Sequence, residues 1–288
     1  MVRRAAWEGS ESGARTGGGR GVVVAPRRVE IFGVPVDAVT QEEALARAEG
    51  LFAQARPGAP ALVLTPNPEL IMQARRDPEL LAAARTAALA LPDGVGVVWA
   101  ARRLGRPCPA RVPGVEFMAA LLGRAAALGR PVYFLGARPE VVTAAAGQAR
   151  ARFPGLRVVG VADGYFGPDA EAEVVCRVAA SGAEVLFVGL GVPAQERFLH
   201  RHRGQFGAIR LAMAVGGSFD VLSGLTRRAP LPVRRAGLEW LWRLASQPRR
   251  WRRQLALPRF VLAVLREAGG TGEGAGEGDG EGTGGGGH

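Results

Sequence analysis

A single carboxylate, Asp93, stands where an apolar run gives way to glycine, in the stretch LALPDGVG. An aspartate in such a place can accept the proton of a substrate hydroxyl while that hydroxyl forms a new bond. It can equally cap the helix that GVGVVWAARRL predicts, since Asp is favoured at helix N-caps. The residues alone leave both roles open, and the two roles are compatible.

Arginine is the second residue type that could take part in chemistry, because all 37 Lys+Arg positions are arginine and no lysine occurs. A Schiff-base lysine and a Walker-type phosphate lysine are therefore excluded. The chain also lacks an Asp-x-Asp pair, so a transferase using a sugar nucleotide would neutralise the departing diphosphate with arginine forks instead of a metal. Arg111, in RVPG, is a candidate, and an ordinary surface arginine is the alternative.

Gly189-Leu190-Gly191 follows an apolar segment and precedes PAQERFLHRHR, which predicts a helix. The pattern G-x-G-x-x-A permits a dinucleotide fingerprint, an anion site at a helix N-terminus, or a plain tight turn. Its late position in the chain and the continuation Pro193-Ala194-Gln195 speak against a nicotinamide cofactor. A phosphate contact and a structural turn both stay open.

Residues 237–267 combine tryptophans with seven arginines among apolar residues. Leu238, Leu241, Trp242 and Ala245 share one helical stripe, and basic helices that carry tryptophan lie in the headgroup plane of anionic membranes. A terminal helix packed on the core is the alternative. Nucleic-acid binding is disfavoured, because no helix-turn-helix, zinc or RNP signature accompanies the net charge of +11.

The elements that must position these groups alternate between short apolar strands and helices. Thr40 and Glu43 form a capping box that predicts a helix to about Gln54. Such alternation predicts an α/β fold with a mostly parallel sheet and helices on both faces. Ligands bind such sheets at the carboxyl ends of the strands. The segments there are residues 65–67, 92–94, 136–138, 163–165, 189–191 and 216–218.

The remaining sequence limits the protein class. Cys108 and Cys176 form neither a disulfide framework nor a CxxC site, which suits a reducing cytoplasm. The three histidines do not predict a metal site. No segment approaches the ~20 consecutive apolar residues of a membrane span. We predict a disordered leader over 1–28, a body over 29–226, a basic amphipathic appendage over 227–267 and a disordered Gly/Glu-rich tail over 268–288.

Eight motifs, in order, resemble the WecG/TagA/CpsF family of bacterial glycosyltransferases, over residues from about 29 to about 255. They are TPNPELIMQARRDPEL, LPDGVGVVWAARRLG, RVPGVEFM, FLGARPEV, DGYF, VGLGVPAQE, GGSFDVLSG and RAPLPVRRAGLEWLWRL. The resemblance implies a Rossmann-like fold and an inverting, metal-independent transfer. It further implies that N-acetylmannosamine moves from UDP to undecaprenyl-diphosphate-linked N-acetylglucosamine, in wall teichoic acid linkage-unit or related surface polysaccharide synthesis.

The resemblance assigns roles residue by residue. Asp93 matches the proposed catalytic base that deprotonates the acceptor hydroxyl. The expected substrate contacts are Thr65, Asn67, Arg111, Gln195, Gly136 and Asp220. One C-terminal arginine is expected to reach the UDP diphosphate, in the order of preference Arg243, Arg250 and Arg253. Val192 departs from the Ser or Asn usual in the family's glycine loop.

The predicted protein is therefore a glycosyltransferase without a cofactor or metal, peripheral on the cytoplasmic face of the cell membrane. Its partners would be a UDP-sugar, the lipid-diphosphate acceptor and, through the appendage, an anionic membrane surface, with no nucleic acid and with self-association left open. Another donor is the alternative: UDP-N-acetylmannosaminuronic acid, UDP-N-acetylglucosamine or UDP-glucose. A non-catalytic nucleotide-binding protein is the alternative from another class.

Overall fold

The structure is a computed structural model, and it describes residues 27–106, 108–226, 228–246 and 256–270. Most of the predicted leader and tail lie outside the described residues. Arg250 and Arg253 also lie outside them. Arg243 lies within a described helix, but its side chain is not among the described groups.

Six strands form one parallel sheet in the order β4-β3-β8-β7-β5-β6. Their bounds are β3 Ala61–Leu64, β4 Leu89–Ala90, β5 Val132–Gly136, β6 Val158–Ala162, β7 Val185–Gly189 and β8 Leu211–Ala214. Because every pairing in this sheet is parallel, the predicted mostly parallel sheet is confirmed. The chain passes from β3 outward to β4 at one edge of the sheet, and from β5 outward to β6 at the other edge. The direction in which strands are added therefore reverses at the centre of the sheet, around β8 and β7.

A two-stranded antiparallel hairpin, β1 Arg28–Ile31 and β2 Val34–Asp37, precedes the sheet. Asp37 joins it to β4: its fully buried carboxylate accepts from the Ala90 N–H at 2.8 Å and pairs with Arg28 at 2.8 Å. The ionic bond offsets the cost of burying that charge. This anchor fixes the outer edge of the sheet, beside the loop that carries Asp93.

Twelve helices connect and flank the strands of the described chain. They are α1 Gln41–Gln54, α2 Pro68–Ala74, α3 Pro78–Arg85, α4 Val95–Arg103, α5 Gly114–Ala127, α6 Pro139–Arg152, α7 Pro168–Ala180, α8 Ala194–Arg201, α9 Ser218–Leu222, α10 Leu231–Arg235, α11 Glu239–Ser246 and α12 Ala256–Gly270. The predicted capping box is confirmed, because Thr40 and Glu43 exchange both bonds at the start of α1. Asn67 and Asp77 cap α2 and α3 with one side-chain bond each, to the N–H of Leu70 and of Leu80, and each is followed by proline.

Apolar cores fill both faces of the sheet. One face packs against α1, α5, α6 and α9, with Phe117, Phe134 and Phe219 fully buried. The other face packs against α7 and α8 through Val174, Phe198 and related side chains. Helices therefore cover both faces, as predicted.

A third core lies under the hairpin and brings in the C-terminal helix. Phe260 and Val264 of α12 are fully buried among side chains of α2, α4 and the hairpin. Helix α11, by contrast, exposes Leu238 before it and Trp240, Leu241 and Trp242 within it. The packed-helix interpretation of the C-terminal segment is thus right for α12, whereas α11 keeps its apolar side chains on the surface.

Candidate active site

The loops after β3 and β4 run side by side beyond the strands. The Leu91 N–H donates to the Leu64 carbonyl at 2.8 Å, and the Asp93 N–H donates to the Pro66 carbonyl at 3.2 Å. Parallel pairing therefore continues into the segments that contain Thr65 and Asp93. These two side chains, predicted from separate motifs, belong to neighbouring positions on the carboxyl edge of the sheet.

Asp93 is not the N-cap of the helix that follows it. The N-cap of α4 is Gly94, whose φ of +105° is open to glycine. The capping alternative for Asp93 is therefore wrong. Its carboxylate is half-buried, and its role as a base stays a prediction.

Gly114, the first residue of α5, shows where that carboxylate lies. A side-chain carbon at Gly114 would be 3.0 Å from the Thr65 methyl and 3.6 Å from Asp93 Oδ2. Thr65 and Asp93 therefore converge on one point at the start of α5. The proline-glycine pair of RVPG opens a helix here, with Pro113 as its N-cap.

The backbone next to Arg111 is hydrogen-bonded to the loop that carries Asp93. The Val112 N–H donates to the Pro92 carbonyl at 3.0 Å, so the residue after Arg111 is bonded to the residue before Asp93. The Arg111 side chain is 23% exposed, and its Nη1 lies 3.9 Å from Glu239 Oε2 of α11. A half-buried guanidinium at the rim can bind an anionic substrate while remaining reachable from solvent.

Asn67 caps a helix, a structural role that its expected contact with substrate did not imply. Its Oδ1 accepts from the Leu70 N–H at 3.0 Å and caps α2. Capping uses the oxygen of the amide, so the NH₂ group is the part of Asn67 suited to a substrate acceptor. The asparagine thus fixes the start of α2 next to Thr65.

Gln195 links two of the strand-end loops. Its Oε1 accepts from the Gly216 N–H at 2.9 Å, and its Nε2 donates to Glu196 Oε1 at 2.8 Å. Gly216 follows β8, and β8 lies directly beside β3, which leads to Thr65. The predicted contact residue is therefore one strand away from the Asp93 group, although only 2% of it is exposed.

Glu196 is a buried carboxyl that the sequence predictions omitted. Only 2% of it is exposed, and its Oε2 has no hydrogen-bond partner among the described residues. Burial raises its pKa from 4.5 to about 7, with a smaller contribution from the nearby Glu69 carboxylate. The sequence contained a signal for this burial: Gln195 precedes Phe198 and Leu199 by three and four positions. Glu196 precedes Leu199 by three positions, so both polar residues lie beside the buried face of α8.

Gly136 is explained by packing at the carboxyl edge. Its φ is +124°, and a side-chain carbon there would lie 2.5 Å from the carbonyl carbon of Gly189. Gly189 in turn leaves no room beside the Phe219 ring, since a carbon there would approach it to 2.6 Å. The two glycines let β5, β7 and α9 approach closely, and their role toward substrate stays a prediction.

Asp220 lies half-buried in the first turn of α9, after Gly216 and Gly217. Its backbone carbonyl accepts from the Ser223 hydroxyl at 2.9 Å and from the Thr226 N–H at 3.1 Å. The structure therefore places it at the carboxyl edge, as predicted, on the β8 side of the crevice. Its contact with substrate stays a prediction.

A cavity of about 500 Å³ lies between α2, the loop before α8, and α12. Its lining includes Glu69, Met72, Arg76, Val192 and Arg259, which belong to α2, the region after it, the loop before α8, and α12. None of the described residues that line it is Asp93, Thr65 or Arg111. It is therefore a neighbouring space and not the meeting point of the three.

Residues 29–273 match the model of the "Glycosyl transferase WecG/TagA/CpsF family". The chain belongs to this family. The predicted family resemblance is thereby confirmed, and the protein is a glycosyltransferase.

Two curated relatives are similar over most of the chain. A protein of Bacillus spizizenii strain W23 is 39% identical over 206 residues, which cover 72% of this chain and 79% of the relative. One of Bacillus subtilis strain 168 is 33% identical over 207 residues, or 72% and 80% of the two chains. Both are named N-acetylglucosaminyldiphosphoundecaprenol N-acetyl-beta-D-mannosaminyltransferase.

Proposed function

We propose that this glycosyltransferase moves N-acetylmannosamine from UDP-N-acetylmannosamine to undecaprenyl-diphosphate-linked N-acetylglucosamine. The observation that supports this most is the convergence of Thr65 and Asp93 at Gly114, on the carboxyl edge of a parallel sheet. That edge is where such sheets bind nucleotides and sugars. The names of the two Bacillus relatives indicate the sugar and the acceptor.

In the proposed reaction a hydroxyl of the acceptor sugar attacks the anomeric carbon of the donor. The new C–O bond forms on the face opposite UDP, the bond to the β-phosphate oxygen breaks, and UDP leaves with the electron pair. Asp93 takes the hydroxyl proton as the bond forms. General-base assistance of this kind contributes roughly 10²–10⁴ in rate.

The departing diphosphate needs positive charge, for which we propose arginine. Arg111 is the described candidate, since its half-buried side chain lies at the rim of the Asp93 group. Arg243, Arg250 and Arg253 remain the proposed C-terminal contacts. No group of three or more His, Cys, Asp and Glu side chains suited to a metal occurs among the described residues. We propose that the transfer proceeds without a metal, with guanidinium groups balancing the charge of the diphosphate.

The lipid acceptor requires contact with a membrane surface, for which α11 is suited. No helix in the described part of the chain combines the length and apolarity needed for a membrane crossing. Leu238, Trp240, Leu241 and Trp242 are between 36% and 46% exposed, and arginines surround them in the sequence. We propose that this surface lies in the headgroup region of the cytoplasmic leaflet.

The deciding experiment measures UDP release from a panel of UDP-sugars, with a synthetic lipid-diphosphate-N-acetylglucosamine acceptor and EDTA present. Acceptor-dependent turnover with UDP-N-acetylmannosamine alone is the expected result. Turnover only with UDP-N-acetylglucosamine, UDP-glucose or UDP-N-acetylmannosaminuronic acid would replace the proposed donor. Loss of turnover in EDTA that Mg²⁺ restores would contradict the metal-free mechanism. UDP binding without turnover for any donor would favour a non-catalytic nucleotide-binding protein.

A further inference from the structure

Helix α11 contacts the body through a charged side chain at its first residue. The side chain of Glu239 is only 13% exposed. The apolar residues that follow it, Trp240, Leu241 and Trp242, are 36% to 46% exposed. A surface helix normally exposes its charged side chains more than its apolar ones. The burial of this glutamate therefore indicates that it makes a specific contact.

That contact is an ion cluster, formed by Arg111, Glu116, Arg228, Arg234 and Glu239. Glu239 Oε1 accepts from Arg228 Nε at 3.3 Å, and its Oε2 lies 3.9 Å from Arg111 Nη1. Arg228, with a side chain only 7% exposed, also donates to Glu116 in the first turn of α5 at 2.8 Å. The cluster thus joins α11 to the helix that begins at Gly114.

The ion cluster also connects α11 to the candidate site. Its described pairs join three guanidinium groups to two carboxylates, and burial and repulsion by Arg228 lower the pKa of Arg234. Arg111 is followed by Val112, whose N–H is bonded to the Pro92 carbonyl in the loop that carries Asp93. The connection from α11 to that loop therefore runs through Arg111.

We propose that Glu239 is a positioning residue that docks α11 on Arg111 and Arg228 and so fixes the Arg111 guanidinium for the anionic substrate. This inference rests on the proposed function and deepens it. Glu239 itself need not touch substrate. Glu239 acts through Arg111. The contact between the two residues couples the proposed membrane-facing helix to the site.

A double-mutant cycle tests this coupling. Glu239→Gln keeps the shape of the side chain and removes its charge, and Arg111→Gln removes the group through which it acts. For acceptor transfer we expect Glu239→Gln to lower kcat/KM by about ten-fold, mainly through KM, and to add little in the Arg111→Gln background. Independent, additive losses would overturn the proposal. Wild-type or increased kcat/KM in Glu239→Gln would overturn it too.

The matched controls are Glu267→Gln and Glu239→Asp. Glu267 is an exposed glutamate of α12 outside the ion cluster, so its neutralisation makes the same charge change without affecting Arg111. Glu239→Asp keeps the charge but withdraws it by one methylene. Its kcat/KM should lie between those of the wild type and Glu239→Gln. This variant provides a second test if the Glu239→Gln protein folds poorly.

Hydrogen exchange gives a readout that is independent of activity. Amides of residues 238–246 should exchange at least about ten-fold faster in Glu239→Gln, because the change removes the ion pairs of Glu239 with Arg111 and Arg228. They should exchange at the wild-type rate in Glu267→Gln. Unchanged exchange in Glu239→Gln would overturn the docking role even if the enzyme transfers no sugar tested. Absence of wild-type turnover with every donor would instead contradict the proposed function.

Discussion

Gly114 and Thr65 are so close that a single side-chain carbon at Gly114 would lie 3.0 Å from the Thr65 methyl group. Such a distance is shorter than ordinary van der Waals contact, so one of the two residues would have to move. Asp93 Oδ2 lies just beyond, at 3.6 Å from the same point. The glycine therefore determines how closely the start of α5 approaches the proposed base.

The change Gly114→Ala should displace Thr65 while leaving the fold intact. Displacing Thr65, an expected substrate contact, would misplace the substrate relative to Asp93, so we expect transfer to fall by about ten-fold or more. Gly123→Ala is the control in the same helix, since a carbon there meets the Phe153 ring at an ordinary 3.6 Å. That control should be neutral or stabilising by about 0.5–1 kcal/mol. Equal activity of the two variants would argue against the proposed convergence.

Asp93→Asn should separate chemistry from binding. The amide keeps the size of the carboxylate but cannot accept the hydroxyl proton, so kcat should drop by roughly 10²–10⁴ with little change in UDP affinity. Asp169→Asn is a suitable control, because Asp169 is an exposed aspartate in the first turn of α7, outside the strand-end segments. Steady-state transfer and UDP titration of both variants are the measurements. Near-wild-type turnover in Asp93→Asn would rule out its role as the base.

Local signals in the sequence predicted most of the elements. The capping box at Thr40 and Glu43 predicted the first turn of α1, and Asn67 followed by Pro68 is a local signal of the same kind at the start of α2. These signals work because a cap and the residues it satisfies are only three positions apart. The carboxyl edge followed from the alternation of strands and helices, and it contains Thr65, Asp93 and Gly216 as expected.

Contacts between distant segments were not predictable in the same way. Val63 pairs with Met213 across 150 positions of sequence, and nothing local indicates that β8 lies between β3 and β7. The approach of Gly114 to Thr65 and the ion pair of Arg111 with Glu239 are also products of tertiary packing. The roles of the site residues came from the family resemblance and stay predictions until variants are measured.

Glu196 should make stability depend on pH. Its pKa is raised to about 7 in the folded chain by burial, against an ordinary 4.5. Below pH 4.5 the carboxyl is protonated in both states, and between 4.5 and about 7 only the unfolded chain ionises. The free energy of unfolding should therefore fall over this range by about 3 kcal/mol and level off above it.

Glu196→Gln resembles the protonated acid and should remove that dependence. Urea unfolding of both proteins at pH 5 and pH 8 measures the difference. We expect the variant to gain stability relative to the wild type as pH rises, because the wild type loses the favourable protonated state. A constant difference between the two proteins at both pH values would contradict the assigned shift.

The surface of α11 should decide membrane binding. Leu241→Ser removes an exposed apolar side chain there, which is worth about 1.5–3 kcal/mol when buried in an apolar medium. Cosedimentation with vesicles of phosphatidylglycerol and phosphatidylcholine should show about ten-fold weaker binding and an unchanged unfolding temperature. Leu262→Ser, at a leucine of α12 that is 56% exposed, is the matched control. Equal effects of both changes would remove the special role of α11.

Helix α12 should behave as part of the folded body. Phe260 is fully buried, and its ring meets that of Phe32 edge-on, with centroids 6.2 Å apart. Phe260→Ala leaves a cavity between α2, α4 and the hairpin, so the free energy of unfolding should fall by about 3–5 kcal/mol. Leu265→Ala changes a residue of the same helix that is 43% exposed, and it should cost far less. Denaturant unfolding compares the two, and similar losses would mean that α12 does not share the core. The expected contrast also implies that removing residues 256–270 would destabilise the protein, so the membrane role of α11 is better tested by point substitution than by truncation.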